Sequence, residues 1–515
     1  MKKLPIGIYN FEEIITENYY YVDKTSYVHE LASTGKYYFL SRPRRFGKSL
    51  FLDTLKCAFE GKKMLFKGLY LEKHWDFENT HPVLKFSLGL GRVTGLDELN
   101  KNIFSMLETQ EKKYNIECKF ELVAGRFSEL IQCLYEKYNR RVVILIDEYD
   151  KPILDNLEDT PRAEEMRDGL KNFYSVIKYS DAFIKFCFIT GVSKFSRVSI
   201  FSDLNNLKDL SLNTRMGAIC GYTQSELEHT FAERLSGIDL KTLAAWYNGY
   251  NFLGKEKVYN PFDVLLFLDS GQFGNYWFET ATPSFLVRLL RQRKFFLPDL
   301  DGIEVNESSI SAMSMDTLMA ETVLFQTGYL TIDQVRQMGP RRFYRLCFPN
   351  LEVKLGFTDS LLAGYTRSPT SLAKVQNSMY QALENKDMSL IESGFKSLFS
   401  SIPHEWYTKN NMDQYEGYYA SVVYAFLASL GFTLKPEESS NHGRADLIID
   451  TAQVVYVLEF KVIELAGDGV KAINQIKARG YHQQYVQAGR EVILVGMDFS
   501  RTERNLTGFE WELVP

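Results

Sequence analysis

The sequence predicts an α/β protein whose N-terminal part is organised around a mostly parallel β-sheet. Four apolar runs, at residues 37–40, 82–88, 142–146 and 182–189, have the length and composition of strands. Segments with helical spacing separate them, and this alternation is typical of a parallel sheet covered by helices. Residues 142–146 are continuously apolar and mostly β-branched, which predicts a strand buried on both faces.

Residues 41–49, with the sequence SRPRRFGKS, have the layout of a phosphate-binding loop. An apolar run precedes them and a segment with helical spacing follows. In such loops, backbone N–H groups at a helix N-terminus attract phosphate. Lys48 is then expected to reach the outer phosphates, and Ser49 to join the shell of a Mg²⁺ ion. The candidate nucleotide contacts in the loop are Arg44, Arg45, Phe46, Gly47, Lys48 and Ser49.

The loop departs from the usual pattern at its first position. That position normally holds a glycine, separated by four residues from the Gly-Lys pair, and here it holds Arg42. Glycine permits a tight turn and a close approach of backbone to phosphate. The alternative interpretation is that Gly-Lys-Ser lies in a solvated basic turn.

A second stretch supports the nucleotide interpretation. Two carboxylates, Asp147 and Glu148, directly follow the apolar run 142–146. Ligands of parallel sheets lie at the carboxyl ends of strands, so Asp147 is expected to hold Mg²⁺ and Glu148 to polarise the attacking water. Thr190 ends the run 182–189, where a polar side chain can contact the γ-phosphate or the water. The alternatives are an ordinary acidic turn and an ordinary Thr-Gly turn.

Composition bounds the class of protein. A chain of 515 residues predicts two to four domains. No apolar run is long enough to span a membrane and no secretory segment opens the chain, so we expect a cytoplasmic protein that does not contact membranes. Six cysteines and seven histidines lack the spacing of disulfide frameworks or metal sites. A net charge of −5 argues against a general polyanion binder, but not against a local basic groove.

The middle of the chain reads as mostly helical. Aromatic-rich turns at 246–252 and 259–263, beside amphipathic helices, predict a small helical lid, although the rings also suit core packing. Residues 285–296 mix basic and aromatic side chains, as a nucleic-acid groove or a solvated helix face would. Residues 324–330 resemble the turn of a winged-helix-like element.

These motifs, in this order, look like those of the prokaryotic AAA-ATPase-like family. The stretches that carry the resemblance are residues 20–25, 39–49, 146–150, 189–194 and 247–250. The resemblance implies an ATP- and Mg²⁺-binding module, and a missing first glycine is itself typical of the family. It also implies a C-terminal PD-(D/E)xK nuclease-like domain. AAA-like modules often assemble into rings or clusters, so a homo-oligomer is a further expectation.

The C-terminal region carries residues that suit phosphodiester hydrolysis. Asp446 lies thirteen residues before Glu459, and Lys461 follows two residues later. The two-residue period of a strand places Glu459 and Lys461 on one face. Two carboxylates can hold Mg²⁺, and a lysine can orient water or neutralise the developing charge. The alternative is an edge strand with an ordinary Glu/Lys pair.

This set resembles the Asp…Glu-x-Lys core of the PD-(D/E)xK fold. By position, that resemblance makes Glu416 the candidate helix carboxylate and a metal ligand beside Asp446 and Glu459. It makes Gln475 the supporting polar residue on the following helix, with Tyr481 just beyond.

Together these inferences predict a two-module enzyme. The expected domains are an AAA-like ATPase domain at 1–220, a helical lid and winged-helix-like region at 221–395, and a nuclease-like domain at 396–515. We expect ATP hydrolysis at the first module and cleavage of nucleic acid, with DNA favoured, at the last, gated by nucleotide state. The main alternative is a nucleotide-dependent switch whose nuclease fold only binds nucleic acid. A mainly structural interaction protein is a third reading.

Overall fold

The computed structural model describes most of the chain. The described residues are 1–89, 91–194, 200–201, 204, 206–279, 284–292, 295–311, 319–365, 369–402, 416–436, 439–440, 443–444, 446–451, 453–463, 471–480, 482–500 and 502–514. Two compact units emerge: unit 1 comprises Met1–Trp277 and Glu304–Asn350, and unit 2 comprises Phe278–Ile303 and Leu351–Pro515. The three-part division expected from the sequence stays a prediction. Within the described ranges, no helix combines the length and apolar character needed to cross a bilayer.

Helices and strands alternate through both units. The helices are α1 (Phe11–Thr16), α2 (Thr25–Thr34), α3 (Lys48–Phe59), α4 (Leu96–Tyr114), α5 (Val123–Tyr138), α6 (Lys151–Leu154), α7 (Thr160–Tyr179), α8 (Gln224–Thr230), α9 (Leu240–Tyr247), α10 (Pro261–Ser270), α11 (Tyr276–Glu279), α12 (Ser284–Gln292), α13 (Glu307–Ser311), α14 (Ala320–Thr327), α15 (Leu351–Tyr365), α16 (Pro369–Asn385), α17 (Met388–Ser400), α18 (Glu416–Ser429), α19 (Ala472–Arg479) and α20 (Gln483–Gln487). Short 3₁₀ turns occur at Lys63–Phe66, Tyr70–Lys73, Asp181–Phe183, Ala232–Arg234 and Leu297–Asp301.

The strands form two five-stranded sheets and two smaller ones. They are β1 (Tyr37–Ser41), β2 (Val83–Ser87), β3 (Val142–Asp147), β4 (Ile184–Gly191), β5 (Lys208–Asp209), β6 (Ile303–Asn306), β7 (Thr331–Met338), β8 (Arg341–Cys347), β9 (Thr433–Pro436), β10 (Ser439–Ser440), β11 (Gly443–Arg444), β12 (Leu447–Asp450), β13 (Val454–Val462), β14 (Glu491–Ser500) and β15 (Asn505–Val514).

The large sheet of unit 1 is parallel throughout, with the strand order β2-β3-β4-β1-β5. Every residue of β1 and β3 is buried, as expected for strands covered by helices on both faces. The expected α/β architecture with a parallel N-terminal sheet is therefore confirmed. Because β1, β4 and β3 are neighbours, their carboxyl ends lie side by side along one edge.

Polar contacts fix the N-terminal helices against this sheet. The carboxylate of Asp23 accepts hydrogen bonds from the backbone N–H and the hydroxyl of Thr25, the first residue of α2. The buried ammonium of Lys24 pairs with Glu226 at 2.6 Å. In α3, the buried carboxylate of Asp53 pairs with Lys85 of β2 at 2.8 Å.

The aromatic turns after residue 220 form a core. Tyr247 and Tyr259 are fully buried among apolar side chains of α8, α9 and α10. Thr223 and Glu226 form a capping box at the start of α8. These rings stabilise the helices beside the parallel sheet, the core-packing use that the sequence allowed.

Unit 1 also contains the small sheet β6-β8-β7 together with α13 and α14. Strands β7 and β8 form an antiparallel hairpin, whose turn carries Gly339 with φ +58°. Along the described residues the order is β6, α13, α14 and the hairpin, and the winged-helix-like assignment stays a prediction.

Unit 2 is built on the mixed sheet β15-β14-β13-β12-β9. Strands β13 and β14 pair in parallel over nine residues, and the other pairs are antiparallel. All but one residue of β13 is buried, and α19 packs on the sheet through Ile473 and Ile476. Such central strands can hold polar side chains rigidly.

Candidate functional site

The loop between β1 and α3, residues 42–47 and here named the phosphate loop, turns sharply into the helix. Arg45 and Gly47 have φ of +66° and +86°, in the left-handed region where glycine is favoured. Gly47 directly precedes the first helical residue, Lys48, and Ser49 is the second. The first backbone N–H groups of a helix have no carbonyl partner within it, so this end of α3 can receive an anion.

Lys48 is buried at the base of the phosphate loop. Its Nζ donates to the carbonyl oxygens of Arg42 at 2.9 Å and Pro43 at 2.8 Å. Burial lowers the pKa of this ammonium, and the negative charge of Asp147 is the largest effect in the opposite direction. A bound phosphate would therefore add negative charge beside the buried ammonium of Lys48 and stabilise its charged form.

Arg42 lies inside the protein rather than in solvent. Its guanidinium donates to the carbonyl oxygens of Ser41, Ser211 and Met216 at 2.8–3.0 Å and lies 3.9 Å from the centroid of the Phe252 ring. Burial lowers the pKa of Arg42 to about 10. The side chain therefore anchors the loop at the position where the usual motif has glycine.

The remaining loop residues divide by exposure. Phe46 is buried and packs edge-to-face on Tyr250. Arg44 and Arg45 are exposed, and the guanidinium of Arg45 lies 4.9 Å from the ring centroid of Phe262. The two arginines can therefore approach a ligand or partner, whereas Phe46 supports the loop from beneath.

Asp147 and Glu148 follow β3 at the same edge of the sheet. The buried carboxylate of Asp147 accepts the N–H of Glu148 at 3.0 Å. Glu148 has a left-handed φ of +53°, and burial, followed by the charge of Asp147, raises the pKa of its carboxyl. Gly89 leaves room for this carboxylate, because a Cβ at that position would overlap Glu148 Oε2.

The end of β4 completes this edge. Thr190 is fully buried, and its hydroxyl has no hydrogen-bond partner among the described residues. The buried carboxylate of Asp150 accepts the backbone N–H of Val192 at 3.2 Å and that of Ser193 at 2.7 Å. Asp150, which the sequence analysis missed, thus ties the turn after β3 to the loop after β4.

These residues fit a nucleotide with its magnesium ion. Lys48, the acidic pair and Thr190 lie at the carboxyl ends of three adjacent strands, β1, β3 and β4. The buried lysine and the unpartnered Thr190 hydroxyl suit phosphate oxygens, and Asp147 supplies the oxygen ligand that Mg²⁺ prefers.

A second constellation lies in the sheet of unit 2. Asp446 precedes β12 and accepts the backbone N–H of Phe460 on β13 at 2.7 Å. It thereby lies next to Glu459, which is almost completely buried. Burial, followed by the charge of Asp446, raises the pKa of Glu459 to about 8, while Lys461 and Arg479 act in the opposite direction.

Gln475 on α19 reaches the same carboxylate. Its side-chain amide donates to Glu459 Oε1. Gly496 of β14 is paired in register with Glu459, and a Cβ there would overlap the backbone of Ile473. The absence of a side chain at Gly496 lets α19 approach closely enough for Gln475 to contact Glu459.

Lys461 shares a sheet face with Glu459, as the alternation of β13 requires. The residue opposite it in β14 is Asp498, which is buried and accepts the N–H of Ala472 at 3.1 Å. Asp498 therefore fixes the start of α19 beside the constellation. The sequence signal was one carboxylate within the apolar run of β14.

Asp446 and Glu459 offer oxygen ligands for a divalent cation. Glu459 Oε2 is buried without a hydrogen-bond partner in the described part of the chain, which suits a metal ligand. Glu416 begins α18, but its side chain lies outside the described residues, as does Tyr481. Among the residues that the structure describes, no group of three or more His, Cys, Asp or Glu side chains is arranged to hold a metal.

Comparisons with known proteins agree with this layout. A family model described as "Predicted AAA-ATPase" matches residues 5–201, and one for the PD-(D/E)XK nuclease superfamily matches residues 414–509. The chain is 46% identical over 509 residues to an uncharacterized protein in the vnfD 5′ region of Azotobacter chroococcum mcd 1, covering 99% of this chain and 98% of that protein. No solved structure matches.

Proposed function

The chain belongs to the predicted AAA-ATPase family and ends in a PD-(D/E)XK nuclease superfamily domain, and from this premise we propose that it hydrolyses ATP and cleaves DNA phosphodiesters. The observation that carries the proposal is the convergence of Asp446, Gln475 and Lys461 on Glu459. The alternative, an ordinary Glu/Lys pair on an edge strand, fits less well, because Glu459 is buried in the central strand of its sheet beside a second carboxylate.

At the nuclease module, Asp446 and Glu459 would hold Mg²⁺, with Glu416 as the third carboxylate that the family resemblance supplies. The ion, when bound, provides Lewis-acid stabilisation of charge on the phosphate. Gln475 holds one oxygen of Glu459, which leaves the other oxygen for the ion. Lys461 would orient the attacking water or neutralise charge that develops on the phosphate.

At the ATPase module, the phosphate loop and Lys48 would bind the β- and γ-phosphates. Ser49 and Asp147 would hold the nucleotide's Mg²⁺. Glu148 would orient and polarise the attacking water, and the raised pKa of its carboxyl favours acceptance of a proton. Thr190 would contact the γ-phosphate or the water, and Arg44 or Arg45 could stabilise the transition state.

The proposal is tested with purified full-length protein on single-stranded and duplex DNA, with Mg²⁺ or Mn²⁺ and with or without ATP. We expect metal-dependent cleavage that falls about 100-fold or more in Lys461→Ala, because charge stabilisation is lost. The matched control is Lys477→Ala, an exposed lysine on α19. Lys48→Ala should abolish ATP binding and reveal whether cleavage depends on it.

Each result has a distinct meaning. Cleavage that survives Lys461→Ala would contradict the assignment of the nuclease site. ATP turnover without cleavage on any substrate would favour the alternative function, a nucleotide-dependent switch that only binds nucleic acid. Cleavage that persists in Lys48→Ala, with no ATP binding, would show that the two modules work independently.

A further inference from the structure

The hairpin formed by β7 and β8, residues 331–347, carries an unusual charge for this chain. It contains four arginines, at positions 336, 341, 342 and 345, and one acidic residue, Asp333, giving a formal charge of +4 − 1 = +3. The whole chain has a formal charge of −5. Residues 334–342 at the tip are all exposed. The hairpin, here named the arginine hairpin, is thus a local basic projection from unit 1.

Strand register places most of this charge on one face. Arg336 pairs with Phe343, Met338 with Arg341, and Gln334 with Arg345, so the three arginines share a face. The opposite face packs inward through Tyr344 and Leu346, both buried. The arginine face is therefore the face turned away from the core.

Acidic side chains of the described residues also lie near the hairpin. Arg336 pairs with Glu304 of β6 at 3.1 Å, and both side chains remain about half exposed. Such a pair contributes little to stability and can exchange partners. On the inner face, burial, followed by the charge of Glu307, raises the pKa of Tyr344. Arg341 and Arg342 stand at the tip beside the exposed apolar side chain of Met338.

We propose that the arginine hairpin binds the sugar–phosphate backbone of nucleic acid, as a contact surface separate from the nuclease constellation. All four cations are arginines, whose planar fork binds phosphate with two hydrogen bonds, rather than the more flexible lysine. Exposed Met338, which pairs with Arg341 on the same face, adds apolar surface that can pack against sugars or a widened groove. The choice of nucleic acid over an acidic protein rests on the nuclease superfamily domain in the same chain.

The base of the hairpin contacts the phosphate loop. Strand β7 follows α14 after a turn at Gly328, where φ is +95° and a Cβ would overlap the ring of Pro43. The indole N–H of Trp277 donates to the carbonyl of Arg44 at 3.1 Å, and its ring lies edge-on to Tyr329. Direct contacts therefore join the base of the hairpin to the phosphate loop, and we infer that nucleic acid bound to the hairpin acts on the loop through them and raises ATP turnover.

The side chain of Gln326 in α14 gives a second connection. Its Oε1 accepts the backbone N–H of Lys194 at 2.8 Å, and its Nε2 donates to the carbonyl of Ile310. Lys194 follows the loop that Asp150 holds after β4. The loops after β1 and after β4, at the carboxyl edge of the parallel sheet, thus both contact α14 or the turn that follows it, which lead into the hairpin.

The binding test uses full-length protein in EDTA without ATP, so neither cleavage nor turnover is needed. The probe is a fluorescein-labelled duplex of about 30 base pairs, followed by anisotropy between about 50 and 200 mM salt. The test variant is Arg336→Ser/Arg341→Ser/Arg345→Ser, which removes the three arginines that share one face of the hairpin. Its control is Lys63→Ser/Lys67→Ser/Lys73→Ser, three exposed cations elsewhere in unit 1 with the same change in charge.

We expect the hairpin variant to bind about tenfold or more weakly and to lower the salt slope by about 2–3, while the control changes little. Wild-type affinity in the hairpin variant, or an equal loss in the control, would overturn the proposal. Equal competition by polyglutamate would overturn it too, because it would indicate a general anion surface. If the triple variant melts early, Arg336→Ser/Arg341→Ser, at two exposed positions of the same face, replaces it with the same expected direction.

Transmission is tested with Mg²⁺-ATP and the same duplex. We expect duplex to stimulate ATP turnover in wild type and not in the hairpin variant, with equal basal turnover in both. Stimulation of equal size in the variant would overturn transmission. This test measures ATP turnover and does not depend on cleavage. Its result can therefore be interpreted even if the nuclease assignment fails.

Discussion

The guanidinium of Arg42 lies on the ring of Phe252, 3.9 Å from its centroid, and donates to the carbonyl of Met216. Two segments distant in sequence thus hold the first residue of the phosphate loop. In the usual motif, a glycine makes the turn possible through its conformational freedom. Here, instead, the hydrogen bonds of the buried Arg42 side chain fix the start of the loop.

We therefore expect Arg42→Gly, which restores the motif, to impair the protein. The variant loses three hydrogen bonds from a buried charge and the stacked ring, and it leaves an internal gap. Losses of this kind destabilise by roughly 2–5 kcal/mol. Differential scanning fluorimetry should show a lower melting temperature, and isothermal titration should show weaker ATP binding.

The control for this change is Arg44→Gly, because Arg44 is exposed in the same loop. It should leave the melting temperature nearly unchanged. Tighter ATP binding by Arg42→Gly, with unchanged stability, would show that the arginine is a defect rather than an anchor.

A second prediction concerns Gly89, which lies against the carboxylate of Glu148. In Gly89→Ala, the new methyl group displaces this flexible side chain, so the fold is little affected. We expect ATP turnover to fall at least about tenfold while ATP affinity stays near wild type, because Lys48 and the loop are untouched.

Gly95→Ala is the matched control, since a Cβ there meets open space. Steady-state kinetics and nucleotide titration separate the two effects. A fall in affinity with unchanged turnover in Gly89→Ala would place Glu148 outside the hydrolytic step.

The buried pair between Asp53 and Lys85 predicts a pH-dependent stability. Burial would raise the pKa of Asp53, but Lys85, Lys56 and the N–H of Phe11 outweigh it and lower that pKa. A lowered pKa means that the carboxylate stabilises the fold above its unfolded pKa of about 3.9, and that this contribution is lost as pH falls through the folded pKa.

Asp53→Asn should therefore be destabilised by about 2–3 kcal/mol at pH 7, and less as the pH falls below about 4, where wild type also loses the charge. Melting temperatures measured from pH 3 to pH 7 give the comparison. Asp168→Asn, at an exposed position, should show a small difference that does not change with pH. A difference in melting temperature between wild type and Asp53→Asn that grows as the pH falls would contradict the prediction.

Local sequence predicted the regular elements well. The expected apolar runs at 37–40 and 142–146 are the strands β1, Tyr37–Ser41, and β3, Val142–Asp147. These strands follow from apolar runs within a few neighbouring residues. Residues 182–183 were expected in a strand but lie in a 3₁₀ turn, so β4 begins at Ile184.

The supporting residues were not predictable in the same way. Arg42, Asp150 and Asp498 act through carbonyls or N–H groups of other segments, and no local pattern names those partners. Gly89 and Gly496 are recognisable only once the opposing atoms are known. Sequence therefore indicated which groups carry the chemistry, whereas the fold shows which residues hold them in place.

The last prediction tests how α19 supports the nuclease constellation. Gly496→Ala places a methyl group against the backbone of Ile473 and pushes the helix away, so Gln475 can no longer reach Glu459. We expect Gly496→Ala and Gln475→Ala to weaken Mn²⁺ binding by a similar factor, about tenfold, as measured by calorimetry on the catalytically silent Lys461→Ala background. Combining the two changes should add little, because both remove the same contact between Gln475 and Glu459.

Gln484→Ala, on the neighbouring helix α20, is the control and should bind Mn²⁺ normally. Additive losses in the double variant would mean that Gly496 and Gln475 act on the metal site independently.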